Sequence, residues 1–318
     1  MKREPAKIVQ FYKRRFVYFA VSLVVIIAGV VAALVNGIQL DIQFQGGSIL
    51  KYTYTGELDA EKAEDIVEST VGITTNGQLQ TNLAKQEQML ILSLAKNEAL
   101  SGEQQQAVTA ALNEVFAGNK LELSESLTVE PFVGSRFFRN GLLAIGISFV
   151  LILGYVGLRF RKIGGISAGF MAIVALLHDA FVVTTAFIIF SIPLNDSFIA
   201  AILTIIGFSI NDTIVIYDRI RENEALLGKK TPIDQLVDLS ITQSMSRSIN
   251  TNIAVLACMV IVYVFAQIYN IESIRRFALP MMFGVVSGCY STICIAGPLW
   301  VMWKKRGGSE KLSSAKAV

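Results

Sequence analysis

The chain has 318 residues, of which 53% are hydrophobic and 17% are charged, and its formal net charge is +3. Globular domains contain fewer apolar and more charged residues, so this composition excludes an ordinary soluble domain. The small net charge does not call for a nucleic-acid partner, and the apolar content predicts an integral membrane protein in contact with lipid.

Six apolar runs predict six transmembrane helices, because about 20 consecutive apolar residues span the hydrocarbon core of a bilayer. The runs lie at 16–36, 140–158, 165–190, 197–217, 248–268 and 277–303. The first run is longer than the apolar core of a cleavable signal peptide, and no convincing cleavage site follows it. We therefore expect it to be retained as a membrane span.

The basic residues predict the orientation of these spans. The first 15 residues contain six Lys or Arg, and further basic clusters follow the second, fourth and sixth runs. By the positive-inside rule these segments are cytoplasmic, as are both termini. Arg275 and Arg276 are the exception, because they fall on the opposite side.

The sequence predicts a large module outside the membrane between the first two spans. Residues 38–136 contain 14 acidic and 6 basic residues and are too long for a simple connection. Strand patterns lie at 48–54, 77–83, 87–95 and 121–130, and helical patterns lie at 58–70 and 101–116, the latter with Ser101 as its N-cap. This β-α-β-β-α-β order predicts an α+β ferredoxin-like domain.

The predicted organisation of the chain follows from these segments. It comprises a cytoplasmic segment (1–15), the first span (16–37), the outer module (38–136), spans two to six (137–303) and a cytoplasmic tail (304–318). A short amphipathic cytoplasmic segment is predicted at 223–247, with Thr231 as an N-cap and Pro232 at the first helical position. We expect this segment to lie along the membrane surface before the fifth span begins.

Four ionisable residues in or near the spans suggest a proton relay. They are His178 and Asp179 in the third span, Asp212 in the fourth and Arg247 at the start of the fifth. Ionisable groups in hydrocarbon are costly, and most of them are functional. We expect Arg247 to pair with Asp212, and Ser209, Asn211 and Thr213 to support that carboxylate.

A structural explanation for each of these residues stays open at this point. Asp212 could be hydrated near the membrane interface, and Arg247 could extend its charge to the surface. His178 could be an ordinary hydrogen-bonded core residue. Because helix neighbours are about 100° apart, His178 and Asp179 should point in different directions.

Several smaller patterns indicate packing and turning. The pairs Gly165/Gly169 and Gly284/Gly288 have the small-xxx-small spacing of close helix contacts. Gly46 and Gly47, after Asp41, would allow a tight turn where the first span leaves the membrane.

Other patterns argue against an enzyme. The cysteines, Cys258, Cys289 and Cys294, lie in apolar runs and indicate neither a disulfide framework nor a metal site. No phosphate-binding loop and no nucleophile–base set is present, so we expect no cofactor other than protons.

Several motifs resemble those of the SecD/SecF family, most closely its SecF branch. "DIQFQGGS" (41–48) is similar to the D-F-x-G-G signature that follows the first span. "LLHDAFVVTTAF" (176–187) resembles the third-span His-Asp motif, and "IIGFSINDTIVIYDRIREN" (205–223) resembles the fourth-span motif. "ITQSMSRSINT" (241–251) and "GVVSGCYSTICIAGPLW" (284–300) are similar to stretches of the fifth and sixth spans.

This resemblance implies an accessory subunit of the Sec translocon, within the resistance-nodulation-division superfamily. Such a subunit would reside in the bacterial inner membrane with its large loop in the periplasm. It would pair with SecD, associate with the SecYEG channel and YajC, and use the proton motive force to draw exported preproteins outward. The proton-linked aspartate and the fifth-span arginine of the family correspond to Asp212 and Arg247 here.

Two other functions remain open from the sequence. A proton-coupled small-molecule exporter of the same superfamily would share the intramembrane carboxylates, although such pumps are longer and have larger outer domains. A passive assembly subunit would use the same charges only to hold helices together.

Overall fold

The computed structural model describes residues 8–82, 87–95, 100–129, 131–228 and 231–316. Within them, six helices are long and apolar enough to cross a membrane: Tyr12–Asn36, Val133–Arg159, Gly165–Ile189, Asp196–Leu227, Ile233–Ile268 and Glu272–Arg306. The chain is thus a multi-pass membrane protein with a small four-stranded sheet inserted after its first long helix.

The α-helices of the described residues are, in chain order, α1 (Arg15–Asn36), α2 (Ile42–Gln45), α3 (Ala60–Val71), α4 (Gly102–Val115), α5 (Pro131–Arg159), α6 (Gly165–Ile189), α7 (Asp196–Leu227), α8 (Ile233–Ile268), α9 (Glu272–Ser291) and α10 (Gly297–Lys316). The strands are β1 (Gly47–Tyr54), β2 (Thr75–Asn82), β3 (Glu87–Ala95) and β4 (Glu122–Val129). A π-helical turn, Thr292–Ala296, joins α9 to α10.

The outer module, defined here as β1 to β4 with α3 and α4, has the predicted β-α-β-β-α-β element order. Its strands are arranged β2-β3-β1-β4, and every neighbouring pair is antiparallel. Alternate residues of β1 and β3 point toward the two helices, so Leu50 and Leu92 are fully buried against a face that includes Val67 and Leu112. Burying each such side chain contributes about 1.5–3 kcal/mol.

Local capping fixes the two module helices. The Asp59 carboxylate accepts the backbone N–H of Glu61 at the start of α3. Ser101 caps α4, as the sequence predicts, and forms a capping box with Gln104. Such caps satisfy backbone N–H groups that have no partner inside the helix.

The helix bundle has a buried centre and an exposed periphery. In α6, α7 and the last span, 50–61% of the most apolar window is buried, compared with 6–11% in α1, α5 and α8. The three central helices therefore contact mainly protein, whereas the three outer ones present apolar surface to lipid or to a partner.

Glycines allow the closest of these helix contacts. A Cβ on Gly165 would collide with the backbone oxygen of Gly157 in α5, and one on Gly169 would lie 3.0 Å from Leu153 Cδ1. On α9, a Cβ at Gly284 would lie 2.5 Å from Ile205 Cγ1, and one at Gly288 would lie 3.2 Å from Ser209 Cβ. Gly165 and Gly169 thus bring α6 against α5, and Gly284 and Gly288 bring α9 against α7.

The segment around Asp41 joins the module to the bundle. The Asp41 N–H donates to the Leu194 carbonyl in the α6–α7 connection at 3.0 Å. Gly46 and Gly47 have φ values of +88° and +143°, which favour glycine, and a Cβ on Gly47 would collide with the Leu94 carbonyl oxygen. Phe44 packs its ring 5.0 Å from that of Phe138 in α5.

Two predicted boundaries differ from the structure. Residues 131–136, assigned from sequence to the module, form the start of α5. The segment 223–247 is not a separate surface segment, because α7 continues to Leu227 and α8 runs unbroken from Ile233 into the fifth span, with Pro232 rather than Thr231 at its N-cap. Apolar runs mark only the part of a helix that needs lipid or core contact, whereas its backbone hydrogen bonds continue into polar sequence.

The N-terminal half of α8 is held by protein rather than by the membrane surface. Its buried residues include Val237 and Ile241, and a Cβ on Gly297 of α10 would lie 2.9 Å from Ile241 Cδ1. Asp234 forms an ion pair of 3.1 Å with Lys305. The amphipathic face predicted for this segment therefore packs against the end of the sixth span.

The two arginines that oppose the positive-inside pattern have local partners. Arg275 and Arg276 both pair with Glu272 at the start of α9. Arg276 also donates to the Asn76 Oδ1 of β2 at 3.2 Å. Their charges are thus partly compensated, and one of them joins the edge strand of the module to the last span.

Candidate functional site in the helix bundle

Asp179 lies at the centre of the bundle and is fully buried. Its carboxylate accepts three hydroxyl hydrogen bonds, from Ser209 of α7 at 2.7 Å, Ser287 of α9 at 2.6 Å and Ser291 of α9 at 2.7 Å. These lengths are typical of O–H···O hydrogen bonds. One side chain of α6 therefore ties together all three central helices.

His178 lies at the edge of that centre, because helix neighbours are about 100° apart. Its Nδ1 lies 3.4 Å from both Asp179 Oδ1 and Ser287 Oγ, which is long for a hydrogen bond. Its Nε2 is buried and has no hydrogen-bond partner among the described residues. The ring borders an apolar cavity of about 620 Å³ between α1, α6, α8 and α9, beside Tyr290.

Asp212 belongs to a second contact, between α7 and α8. Its side chain is buried, and Oδ2 accepts a hydrogen bond of 2.6 Å from Asn252 Nδ2. Asn252 also donates to the Ser248 carbonyl at 2.8 Å, which fixes its amide orientation. Asp212 is thus enclosed by protein, contrary to the hydrated alternative considered from the sequence.

Arg247 does not form the predicted pair with Asp212. Its side chain is exposed and, within the described part of the chain, forms no hydrogen bond or close ion pair, although its charge acts on the Asp212 carboxyl from a longer distance. Ser248 and Asn252 lie one turn apart on the face of α8 toward Asp212, and Arg247, one residue before Ser248, is turned about 100° from that face. Asn252 therefore occupies the position expected for the arginine.

The three residues predicted to support Asp212 do not surround its carboxylate. Asn211 is exposed, whereas Asp212 and Thr213, the next two residues of α7, are buried. Ser209 and Thr213 are buried, but they face α6 and α9 instead of α8: Ser209 bonds Asp179, and Thr213 lies 3.1 Å from the Thr292 hydroxyl. Only Asp212 itself faces Asn252.

The π-helical turn lies directly beside this network. Ser291 donates to Asp179, while the next residue, Thr292, bonds Thr213 and the Ser209 carbonyl. Both side chains face α6 and α7 although neighbours on a regular α-helix diverge. Such π turns are frequent at functional sites, and this one gives α9 two consecutive polar contacts with the central helices.

Sequence reasoning missed Ser287, Ser291, Thr292 and Asn252. A signal was present, because Ser287 and Ser291, like Ser248 and Asn252, are spaced four residues apart and therefore share a helix face. Serine and asparagine carry no charge, so they attract less attention than Asp212 or Arg247 in a membrane helix.

The polar network consists of carboxylate, hydroxyl and amide groups. Within the described residues, no three His, Cys, Asp or Glu side chains form a group that could bind a metal ion. A hydroxyl can donate to an ionised carboxylate and can turn to accept from a protonated one. Gain or loss of a proton at Asp179 must therefore reorganise bonds made by α7 and α9.

The fold and this network define a polytopic membrane protein with buried carboxylates and a folded module outside the bilayer. Residues 107–306 match the family described as protein export membrane protein SecD/SecF, C-terminal. The chain is 34% identical to the protein translocase subunit SecF of Alicyclobacillus acidocaldarius, over 95% of this chain and 94% of that protein. The chain belongs to the SecD/SecF family.

Longer relatives and solved structures agree with this assignment. The chain is 34% identical to the protein translocase subunit SecDF of Bacillus subtilis, over 93% of this chain and 38% of that protein. A crystal structure of SecDF from Thermus thermophilus superposes with a TM-score of 0.76 at 27% identity, over 94% of this chain and 39% of that one. This chain therefore corresponds to about two fifths of each SecDF protein.

Proposed function

We propose that this chain is a Sec protein-export subunit that acts with SecD and uses the proton motive force to promote translocation of preproteins through SecYEG. Relatives named protein translocase subunit SecF support the export role. The SecDF proteins, which are more than twice as long as this chain, support a SecD partner. YajC would belong to the same assembly.

We further propose an arrangement in the bacterial inner membrane with both termini in the cytoplasm and the outer module in the periplasm. The basic clusters support this orientation through the positive-inside rule. The element order and the β2-β3-β1-β4 antiparallel sheet support a ferredoxin-like assignment for the module.

The observation that carries proton coupling is the bonding of the two buried carboxylates. Asp179 is bonded to α7 and α9, and Asp212 is bonded to α8, so each carboxylate joins its own helix to others. An ionised Asp179 accepts from three serine hydroxyls, whereas a protonated one becomes a donor and needs one hydroxyl to turn. The protonation state is thereby linked to the relative positions of the spans.

The last span provides a connection from this network to the module. Ser287 bonds Asp179, and Arg276, 11 residues earlier in α9, bonds Asn76 of β2. At 1.5 Å per residue the two contacts are about 16 Å apart on one helix. We propose that a shift of α9 changes how the edge of the module is held.

The energies involved are compatible with this mechanism. One proton crossing ~100 mV releases about 2.3 kcal/mol. Coupling between two sites in one protein is typically about 1–3 kcal/mol. A single proton per cycle therefore suffices to bias the module between two positions.

The test compares substitutions in membrane vesicles that contain the complete export machinery. Asp212→Asn and Asp179→Asn keep the side-chain size but remove the titratable group, so each should abolish the export that depends on the proton gradient. Asp218→Asn is the matched control, because Asp218 lies on α7 but its carboxylate is exposed in ion pairs with Arg159 and Arg221. It should retain gradient-dependent export.

The alternatives give different outcomes in the same vesicles. A passive assembly subunit would give normal gradient-dependent export in all three variants, provided that the subunit is present in equal amounts. A small-molecule exporter would show proton flux that depends on an added drug and is indifferent to the preprotein. Either result would contradict the proposed role.

A further inference from the structure

A basic cavity lies at the end of the bundle opposite the outer module. It has a volume of about 850 Å³ and is bordered by the ends of α5 and α7 and the turn that follows α5. Its charged lining residues are Arg159, Arg161, Lys162, Arg221, Glu222 and Glu224. Cations outnumber carboxylates there, so the cavity favours an anion.

Two of these cations have no ion-pair partner among the described residues. Arg159 and Arg221 share the Asp218 carboxylate, at 3.4 and 2.7 Å. Arg161 and Lys162 form no ion pair in the part of the chain that the structure describes. Their positive charge is therefore available to a ligand.

An apolar groove continues from this cavity along the surface of the bundle. It has a volume of about 670 Å³, lies between α5 and α6, and shares Leu158 and Arg161 with the basic cavity. Gly154 and Gly157 form part of its floor, and a Cβ added at Gly154 would meet no atom within 4 Å. The groove exists because these two positions have no side chain.

The groove is long enough to hold part of a lipid acyl chain. Its lining runs from Val150 to Leu158, which corresponds to about 12 Å along the helix axis. Lys304 adds a further cation beside the groove, since a Cβ on Gly164 would lie 3.2 Å from its Nζ. One end of the composite surface is therefore cationic, and the remainder is apolar.

We propose that this composite surface binds one anionic phospholipid, with its phosphate headgroup against Arg161 and Lys162 and an acyl chain in the groove beside Gly154. Basic pockets at the ends of membrane helices suit anionic headgroups, and the arginine fork suits phosphate oxygens. Free inorganic phosphate would match the cations but would leave the groove uncovered. The site is separate from Asp179 and Asp212 and does not depend on the proposed role in export.

The first experiment measures phosphatidylglycerol bound to the full chain in phosphatidylcholine nanodiscs by native mass spectrometry. The double variant Arg161→Gln/Lys162→Gln should weaken binding by about fivefold per cation, or about 25-fold in total. The matched control, Lys13→Gln/Arg14→Gln, removes the same charge from exposed positions before α1 and should change binding less than twofold. Equal loss in both double variants would show only a general surface attraction and would overturn the site.

The second experiment tests the groove. Gly154→Leu places a side chain in open space within the groove and should weaken phosphatidylglycerol binding about tenfold. Gly146→Leu is the matched control, because that position is also open but lies two turns away on α5, outside the groove. Unchanged lipid binding in Gly154→Leu, together with competition by inorganic phosphate at millimolar concentration, would identify a simple anion site and overturn the lipid proposal.

Discussion

The outer module and the helix bundle use their interiors differently. The module has a core of apolar side chains, and the buried polar residues described in it are Ser48 and Thr75. The other buried polar residues of the described chain lie in the bundle helices, and they include both Asp179 and Asp212. The interior of the module is therefore almost entirely apolar.

The bundle requires another explanation for its polar interior. A carboxylate without partners is costly in a low-dielectric environment, and serine or asparagine donors only offset that cost. Apolar side chains of similar size would hold the helices together without the cost of burying a carboxylate. The contrast is therefore between a module with an apolar interior and a bundle whose centre contains the two carboxylates of the proton coupling proposed above.

The largest expected effect on stability is in the module core. Leu92→Ala removes a fully buried side chain of β3 and should destabilise the module by about 2–5 kcal/mol, because the cavity left behind refills only partly. Amide hydrogen exchange of the module, measured in the intact chain, reports this change. Leu123→Ala, at a position on β4 that is 36% exposed, should have a small effect, and equal effects would contradict the packing described here.

The next largest effect is in the polar centre of the bundle. Ser291→Ala removes one donor from the buried Asp179 carboxylate and should cost about 1–3 kcal/mol of stability, because a buried acceptor loses its partner. Thermal unfolding in detergent measures it. Ser148→Ala, which removes only a bond to the Ala144 carbonyl within α5, is the control. If the two variants unfold at the same temperature, the contrast between module and bundle is wrong.

The contact between the two regions should give an intermediate effect. Arg276→Gln removes the bonds from α9 to Asn76 of β2 and should weaken docking of the module edge by about 1 kcal/mol. The distribution of distances between spin labels on β2 and on the outer end of α8 should become broader. Arg275→Gln removes a neighbouring arginine that pairs with Glu272 but does not bond the module, so its distance distribution should remain narrow.

The smallest effect concerns Glu64 on the module surface. Burial raises the pKa of Glu64 above its ordinary value of 4.5, although the Gly77 N–H opposes this shift. A raised pKa in the folded state contributes stability below the ordinary value, and this contribution is lost as pH rises through the raised pKa. Module stability should therefore fall less between about pH 4 and pH 7 in Glu64→Gln than in the parent protein.

Glu114→Gln provides the comparison for that pH profile. Glu114 is an exposed carboxylate on α4, and its charge is not among those that shift the pKa of Glu64. The stability of the module in this variant, measured by amide hydrogen exchange, should depend on pH in the same way as in the parent protein. A Glu64→Gln profile that is indistinguishable from the parent would show that Glu64 makes no net contribution.

Sequence patterns predicted the elements better than their partners. The strands, module helices and six apolar helices follow from periodicities that act over a few residues, and the Ser101 cap depends on a local motif. The site residues were predicted only in part: Asp179 and Asp212 are buried as expected, but among the described residues Arg247 acts on Asp212 only from a distance, and Asn252 makes the direct contact. Arg247 was predicted as the partner because of its charge. Asn252 is the partner because its side chain lies on the face of α8 that is directed toward Asp212.

The sequence by itself determined that this chain crosses a membrane several times, carries a folded module after its first span and belongs among proteins that resemble SecD and SecF. These properties depend on composition, periodicity and motif, which are local in the chain. Only the tertiary structure decided that Ser287 and Ser291 meet Asp179, that Asn252 meets Asp212 and that Arg276 holds the module edge. Such contacts join residues 40 to 200 positions apart, and they depend on how each helix is rotated against its neighbours, which no local pattern specifies.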